Sequence, residues 1–192
     1  MPAALRFDAD KVAYFEKAGW EAYYDHNWLR AFWLMVQLNR EEFAMPLPLA
    51  LAAALDVVRA SIAFAPLDND VPKAQHFIGR YYEKAARRVK FQAGARTVAE
   101  LEMDYWLVHR RLALARIKDP AADNLEPLVA SIANLHTALF AAPAAAIRTS
   151  AEERARAAEA VDRITGKRST DIAADWRLVE EHLQRAYGAI QM

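Results

Sequence analysis

Apolar residues recur three and four positions apart almost everywhere along this chain, and no convincing run of strict alternation marks a strand. That period belongs to the α-helix, whose one face collects every third or fourth side chain. Leu125, Leu128, Ile132, Leu135 and Leu139 form one such stripe; Leu101, Tyr105, Val108, Leu112 and Ala115 form another. A third follows Ile172, Trp176, Val179, Leu183, Ala186 and Ile190. Boundary signals recur in step. Asp8 is placed to cap a first helix, with Phe7 and Val12 as its hydrophobic staple. Thr97 with Glu100, Asp123 with Glu126, and Ser150 with Glu153 have capping-box spacing, and Asp70 precedes Pro72. Gly94 and Gly166 stand where helix C-caps belong, and Pro46, Pro66, Pro120 and Pro143 punctuate ends. The pattern predicts seven helices, about 9–44, 47–64, 72–92, 98–117, 124–141, 151–165 and 171–189. Short connections make neighbours antiparallel, so the expected fold is all-α: a single-domain helical bundle over residues 1–192.

The first of these helices is too long for the globule. A helix over 9–44 spans roughly 54 Å at about 1.5 Å per residue, against a globule diameter of roughly 42 Å. It must protrude, curve or break, and Asp25-His26-Asn27 is its weakest helix-forming run. Trp20, Tyr23, Tyr24, Trp28, Phe32 and Trp33 make it aromatic-rich. Trp28 to Leu38 is apolar nearly all round, which predicts the central helix of the core.

Residues 127–147 carry no formal charge over 21 positions, long enough to cross a bilayer. Ser131, Asn134, His136, Thr137 and Pro143 interrupt them, and the apolar stripe is one-sided, so the segment reads as a buried bundle helix with His136 a satisfied core histidine. The first residues lack a basic region ahead of an apolar core, so no signal peptide is read. A cytoplasmic protein with no membrane partner is expected.

Composition narrows the chemistry. The chain has no Cys, which removes disulfides, thiolate metal sites and thiol nucleophiles. Its five Gly are too dispersed for a phosphate loop or a dinucleotide fingerprint, and no Gly-x-Ser-x-Gly elbow occurs. None of the five His has an Asp, Glu or second His three or four residues away, and the 66–72 loop lacks the Gly and distal Glu of a calcium loop. No metal and no cofactor are expected. The net charge of zero is a cancellation: −4 over residues 1–72, +7 over 73–118 and −3 over 119–192. In the basic stretch Lys73, Arg80, Lys84 and Arg87 share one helical stripe, where an anionic partner would dock.

Other candidates sit where polar groups meet apolar faces. Asp56 and Arg59 are the charged pair of an otherwise apolar helix, and a desolvated arginine needs its donors satisfied, for instance by a ligand carboxylate or phosphate. Tyr23 and Arg30 belong to a heptad series with Glu16 and Gln37. Glu102, His109 and Arg116 follow at intervals of seven along the edge of the fourth helix's stripe, as Asp175 and His182 do on the last. Glu102 and His109 stand about 10.5 Å apart along the axis, so each needs a partner from another helix.

Two functions follow. The first is a non-catalytic interaction module that binds a protein partner or itself as a homo-oligomer. The second is an enzyme or small-ligand protein with a polar pocket between the first, second and fourth helices. In that pocket Arg59 holds an anion beside Asp56, Tyr23, Arg30 and Tyr105, with Glu102 and His109 as acid and base. Nucleic-acid binding by the basic 73–118 stretch is a third, lesser option.

Overall fold

The computed structural model describes residues 3–119 and 124–191. Its helices are α1 (Ala9–Tyr24), α2 (Trp28–Glu42), α3 (Leu47–Phe64), α4 (Val71–Ala85), α5 (Ala95–Lys118), α6 (Glu126–Leu139), α7 (Ala144–Thr165) and α8 (Ile172–Ile190). The all-α bundle is thus observed. Each helix packs on the next and α8 returns to α1, so chain order is also the order around a closed ring. One cluster of buried side chains draws on all eight helices. Phe43, Ile78, Leu128, Ile132 and Leu183 are its largest fully buried members, each contributing about 1.5–3 kcal/mol. On α7 the buried Ala151, Ala155, Ala157, Ala158 and Ala160 present a smooth surface to the flanking α6 and α8.

The expected first helix breaks at the run that propensity singled out. α1 ends at Tyr24, His26 takes φ 58°, and the Asn27 side chain accepts the Arg30 amide at 3.2 Å to start α2. A short-lived left-handed residue followed by an Asx cap turns the chain without leaving amides unpaired. α2 is not the central core helix, however. It sits in the ring between α1 and α3, so Trp28, Leu29 and Trp33 face outward at 56 %, 86 % and 50 % exposure.

Three other boundaries differ from the pattern-based map. The third helix stops at Ala85 rather than near 92, because residues 89–92 switch to a two-residue period: Val89 and Phe91 are buried, Lys90 and Gln92 exposed. Val89–Lys90 (β2) forms a small parallel bridge with Ala3–Ala4 (β1). α5 starts at Ala95 with Gly94 as its N-cap, so Gly94 is not a C-cap and Thr97 already lies inside the helix. α7 starts at Ala144 behind Pro143, and Ser150 is therefore a buried mid-helix residue rather than a cap. Alanine-rich first turns need no side-chain cap to propagate. Asp123 and Pro120 lie outside the described residues; α6 begins with Asn124 Oδ1 accepting the Glu126 amide at 3.0 Å. Asp8, Asp70 and Asp171 do cap α1, α4 and α8 through their carboxylates.

Residues 127–147 are not one span, because α6 ends at Leu139 and Phe140 is extended. The α6 face is buried as expected, with His136 2 % exposed and its Nδ1 3.0 Å from Ser150 Oγ. The helix long and apolar enough to cross a membrane is α3.

Candidate functional site

Polar side chains gather in two places of opposite character. The first is interior. α1, α2, α4, α5, α7 and α8 each send a polar group into one cluster. At its centre Arg154 grips Glu16 with both terminal nitrogens, Nη1 to Oε2 at 2.9 Å and Nη2 to Oε1 at 2.6 Å. The Tyr187 hydroxyl donates to Glu16 and accepts from Arg154 Nη1 at 2.7 Å. The rings of Trp20, Tyr105 and Tyr187 lie within 5.9 Å of the guanidinium carbon. A planar, weakly hydrated cation suits this setting, where bidentate geometry and ring faces replace water.

Two more carboxylates face the same arginine. Glu102 accepts from the Tyr82 hydroxyl at 3.0 Å and from Trp106 Nε1 at 2.7 Å. Burial raises its carboxyl, although Arg154 and these two donors pull the other way. Glu42 is pushed up to about 8, by burial first and by the charge of Glu16 next, with Arg154 opposing. Beside it Asn39 accepts from the Tyr81 hydroxyl at 3.0 Å. Within this cluster two buried donors have no hydrogen-bond partner among the described residues, Asn39 Nδ2 and Arg154 Nε.

An adjoining group holds His109, whose Nε2 lies 3.1 Å from Asp162 Oδ1, while Arg116 Nη1 donates to Oδ2 at 2.9 Å. Tyr105 stacks on His109 at 6.0 Å and so joins the two groups. The heptad series of α5 therefore finds its partners on other helices: Tyr82 for Glu102, Asp162 for His109 and Arg116. On α8, Asp175 pairs with Arg163 and His182 with Glu153 in the same manner.

The second place is the outer face of α3 and α4. Asp56 is 1 % exposed and meets three cations: Lys84, Arg80 Nε at 3.5 Å and Arg59 Nη1 at 4.0 Å. One buried carboxylate thus stands under three positive groups, of which Arg59 and Arg80 are 45 % exposed. Arg59 also lies 5.8 Å over the Phe77 ring. On the same ridge of α3 as Arg59, at helical spacing, stand Leu47, Leu51, Leu55 and Ile62, exposed at 42 %, 36 %, 41 % and 68 %. Along the outer side of α4 Lys73, His76, Arg80 and Glu83 are exposed, whereas of the expected cationic stripe Lys84 is half-buried on Asp56 and Arg87 lies in the turn after the helix, which stops at Ala85.

The pocket expected from sequence does not assemble. Tyr23, Arg30 and Arg59 are exposed, whereas Tyr105 is buried and Glu102 and His109 are half-buried in the interior. Tyr23 packs edge-on against Tyr24 and Trp28 instead. Arg59 faces outward because α3 turns Asp56 and its alanines inward. Two open depressions, of about 480 and 440 Å³, are lined by other residues: Phe15, Arg40, Glu41 and Arg88 among the first set, Gln92, Leu101 and Asn134 among the second. Arg154, Glu42, Asn39 and Tyr187 escaped notice in the sequence. The signal was there: Arg154 continues the apolar stripe Ile147, Ala151, Ala158, Val161, and an ionic residue at a core position demands a buried partner.

No protein-family model matches the chain, and no curated protein or solved structure is significantly similar to it.

Proposed function

We propose that the chain is a non-catalytic interaction module whose α3–α4 face docks an acidic partner. The observation that carries this reading is the exposed ridge Leu51, Leu55 and Ile62 lying directly beside the cations gathered over Asp56. Large apolar side chains clustered at the surface lower the free energy of any complex that covers them. The flexible stems of Arg59, Arg80, Lys73 and Arg87 let their charges reach anions at the rim of such a contact. A second copy of the chain fits this face poorly. An isologous pair would set the same cations against each other across the axis.

The test uses two acidic probes that carry apolar groups, a synthetic Leu/Glu amphipathic helix and anionic phospholipid vesicles. Binding to either, weakened at least ten-fold by the Lys73→Glu/Arg87→Glu double variant and by Leu55→Ser/Ile62→Ser, is expected. Binding to neither, or binding to a DNA duplex alone with the leucine variant unaffected, overturns the reading.

A second reading has its own observation. The unpartnered Arg154 Nε and Asn39 Nδ2 are donors facing a group that includes Glu42, a carboxyl close to titration at neutral pH. A small molecule offering acceptors would satisfy both donors and make the interior a ligand site.

A further inference from the structure

We infer that the acidic partner of the α3–α4 face is the surface of an anionic lipid bilayer. This rests on the reading of that face as a docking surface and adds the identity of what it meets.

The first observation is α3 itself. Its 18 residues, Leu47–Phe64, are long and apolar enough to cross a membrane, yet only 33 % of them are buried. A helix that owed its composition to a protein core would hide most of it. Here the inner side is mostly small residues, Ala50, Ala53, Ala54, Ala60 and Ala63, with Asp56 and Phe64 buried among them, while Leu47, Leu51, Leu55 and Ile62 are exposed. The ridge they form carries Arg59 as its one exposed charge.

The second observation is the match between two rows. From Leu47 to Ile62 the apolar ridge runs about 22 Å; on α4 the cations Lys73, Arg80 and Lys84 cover about 16 Å, and Arg87 follows in the turn after the helix. The helices pack side by side, pinned by Asp56 to Arg80 and Lys84, so the rows lie next to each other along their length. A line of leucines beside a line of cations is the amphipathic arrangement that rests in a bilayer interface. The leucines enter the boundary between headgroups and acyl chains while the guanidinium and ammonium groups stay among the phosphates. Glu83 interrupts the cationic row, and Asp68 and Asp70 lie in the loop near Ile62. The attraction is therefore strongest toward Arg80 and Arg87. α2, packed on the other side of α3, exposes Trp28, Leu29 and Trp33, side chains that favour the interface. The two depressions described above are lined by residues away from the Leu51–Ile62 ridge. Fluid lipid covers an exposed ridge without a preformed complementary shape.

Vesicle co-sedimentation of the full chain tests this, with vesicles of phosphatidylcholine alone or with about 40 % phosphatidylglycerol, beside the Leu/Glu helix as protein-like probe. The expected result is binding to the anionic vesicles at least ten-fold tighter than to neutral ones, with a blue shift of tryptophan emission. Lys73→Glu/Arg87→Glu is expected to abolish that preference, and Leu55→Ser/Ile62→Ser to leave only weak attachment lost at high salt. Unchanged far-ultraviolet circular dichroism keeps loss of binding distinct from loss of fold. Binding to the Leu/Glu helix without binding to anionic vesicles overturns the lipid assignment and leaves the docking face standing. Binding to neither overturns both, and equal binding to neutral and anionic vesicles overturns the role of the cations.

Discussion

The interior cluster around Arg154 and the outer face around Asp56 solve the same electrostatic problem in opposite proportions. Inside, carboxylates outnumber the cation: Glu16, Glu42 and Glu102 share one arginine, and the imbalance is met by tyrosine and tryptophan donors and by raised carboxyl pKa values. Outside, cations outnumber the carboxylate, and Arg59 and Arg80 stay 45 % exposed. The difference teaches where each region is vulnerable. The interior has converted most of its charge into internal hydrogen bonds, with Asn39 Nδ2 and Arg154 Nε left over, so it has much to lose from truncation. The face keeps its apolar ridge exposed and Arg59 and Arg80 only partly engaged with Asp56, so it has less to lose in stability and more to offer.

The largest expected effect comes from breaking the interior. Arg154→Met leaves Glu16 buried without its counter-ion and is expected to cost about 3–5 kcal/mol in urea unfolding. Adding Glu16→Gln removes the orphaned charge, and the double variant is expected to regain much of that loss. A double variant as unstable as the single one would refute the description of the cluster as a charge pair.

Next is Glu42→Gln. A carboxyl whose folded pKa of about 8 lies above its unfolded value near 4.5 favours folding most below pH 4.5, and that contribution disappears as pH rises through 8. Wild type should therefore lose this contribution progressively between about pH 4.5 and 8. The glutamine variant should be more stable than wild type at pH 9, by at least about 2 kcal/mol, with a flatter profile. His136 has the opposite sign. Burial holds its pKa down to about 3, so its contribution is present above pH 6.5 and is lost as pH falls toward 3. Melting temperatures from pH 3 to 9 separate the two slopes.

Asp56→Asn comes third. It removes the carboxylate beneath Lys84, Arg80 and Arg59 and is expected to cost about 1–3 kcal/mol, while vesicle binding holds or increases because the face gains positive charge. Weaker binding with the fold intact would show that Asp56 orients the cations rather than restraining them. Smallest in stability is Ile62→Ser, expected within about 0.5 kcal/mol of wild type, yet expected to weaken vesicle attachment. The largest stability loss with no surface phenotype and the smallest with a clear one would together define the two regions.

Much of the fold was legible because helix periodicity is local. Seven predicted helices became eight at Asp25-His26-Asn27, the weak point that propensity marked. The Ser150 cap was misplaced because Pro143 followed by alanines starts a helix equally well. The candidate sites were less legible. Glu102 and His109 stand out by their place at a stripe edge, and both do meet partners from other helices. Asp56 and Arg59 were selected as a pair, but the depth of one and the exposure of the other depended on where α4 lies. Arg154 and Glu16 are 138 positions apart, and no local pattern links them.

By itself the sequence determined the all-α class, most helix boundaries and the cancellation hidden in a net charge of zero, because turns, caps and amphipathic faces depend on residues within one or two turns of each other. Only the tertiary structure decided which face of α3 looks outward, that Asp56 gathers the α4 cations, and that Glu16, Glu42, Glu102 and Arg154 share one interior. Those outcomes depend on which helices become neighbours when the ring closes, and burial, the field of a distant charge and the partner of a buried donor are properties of neighbours in space.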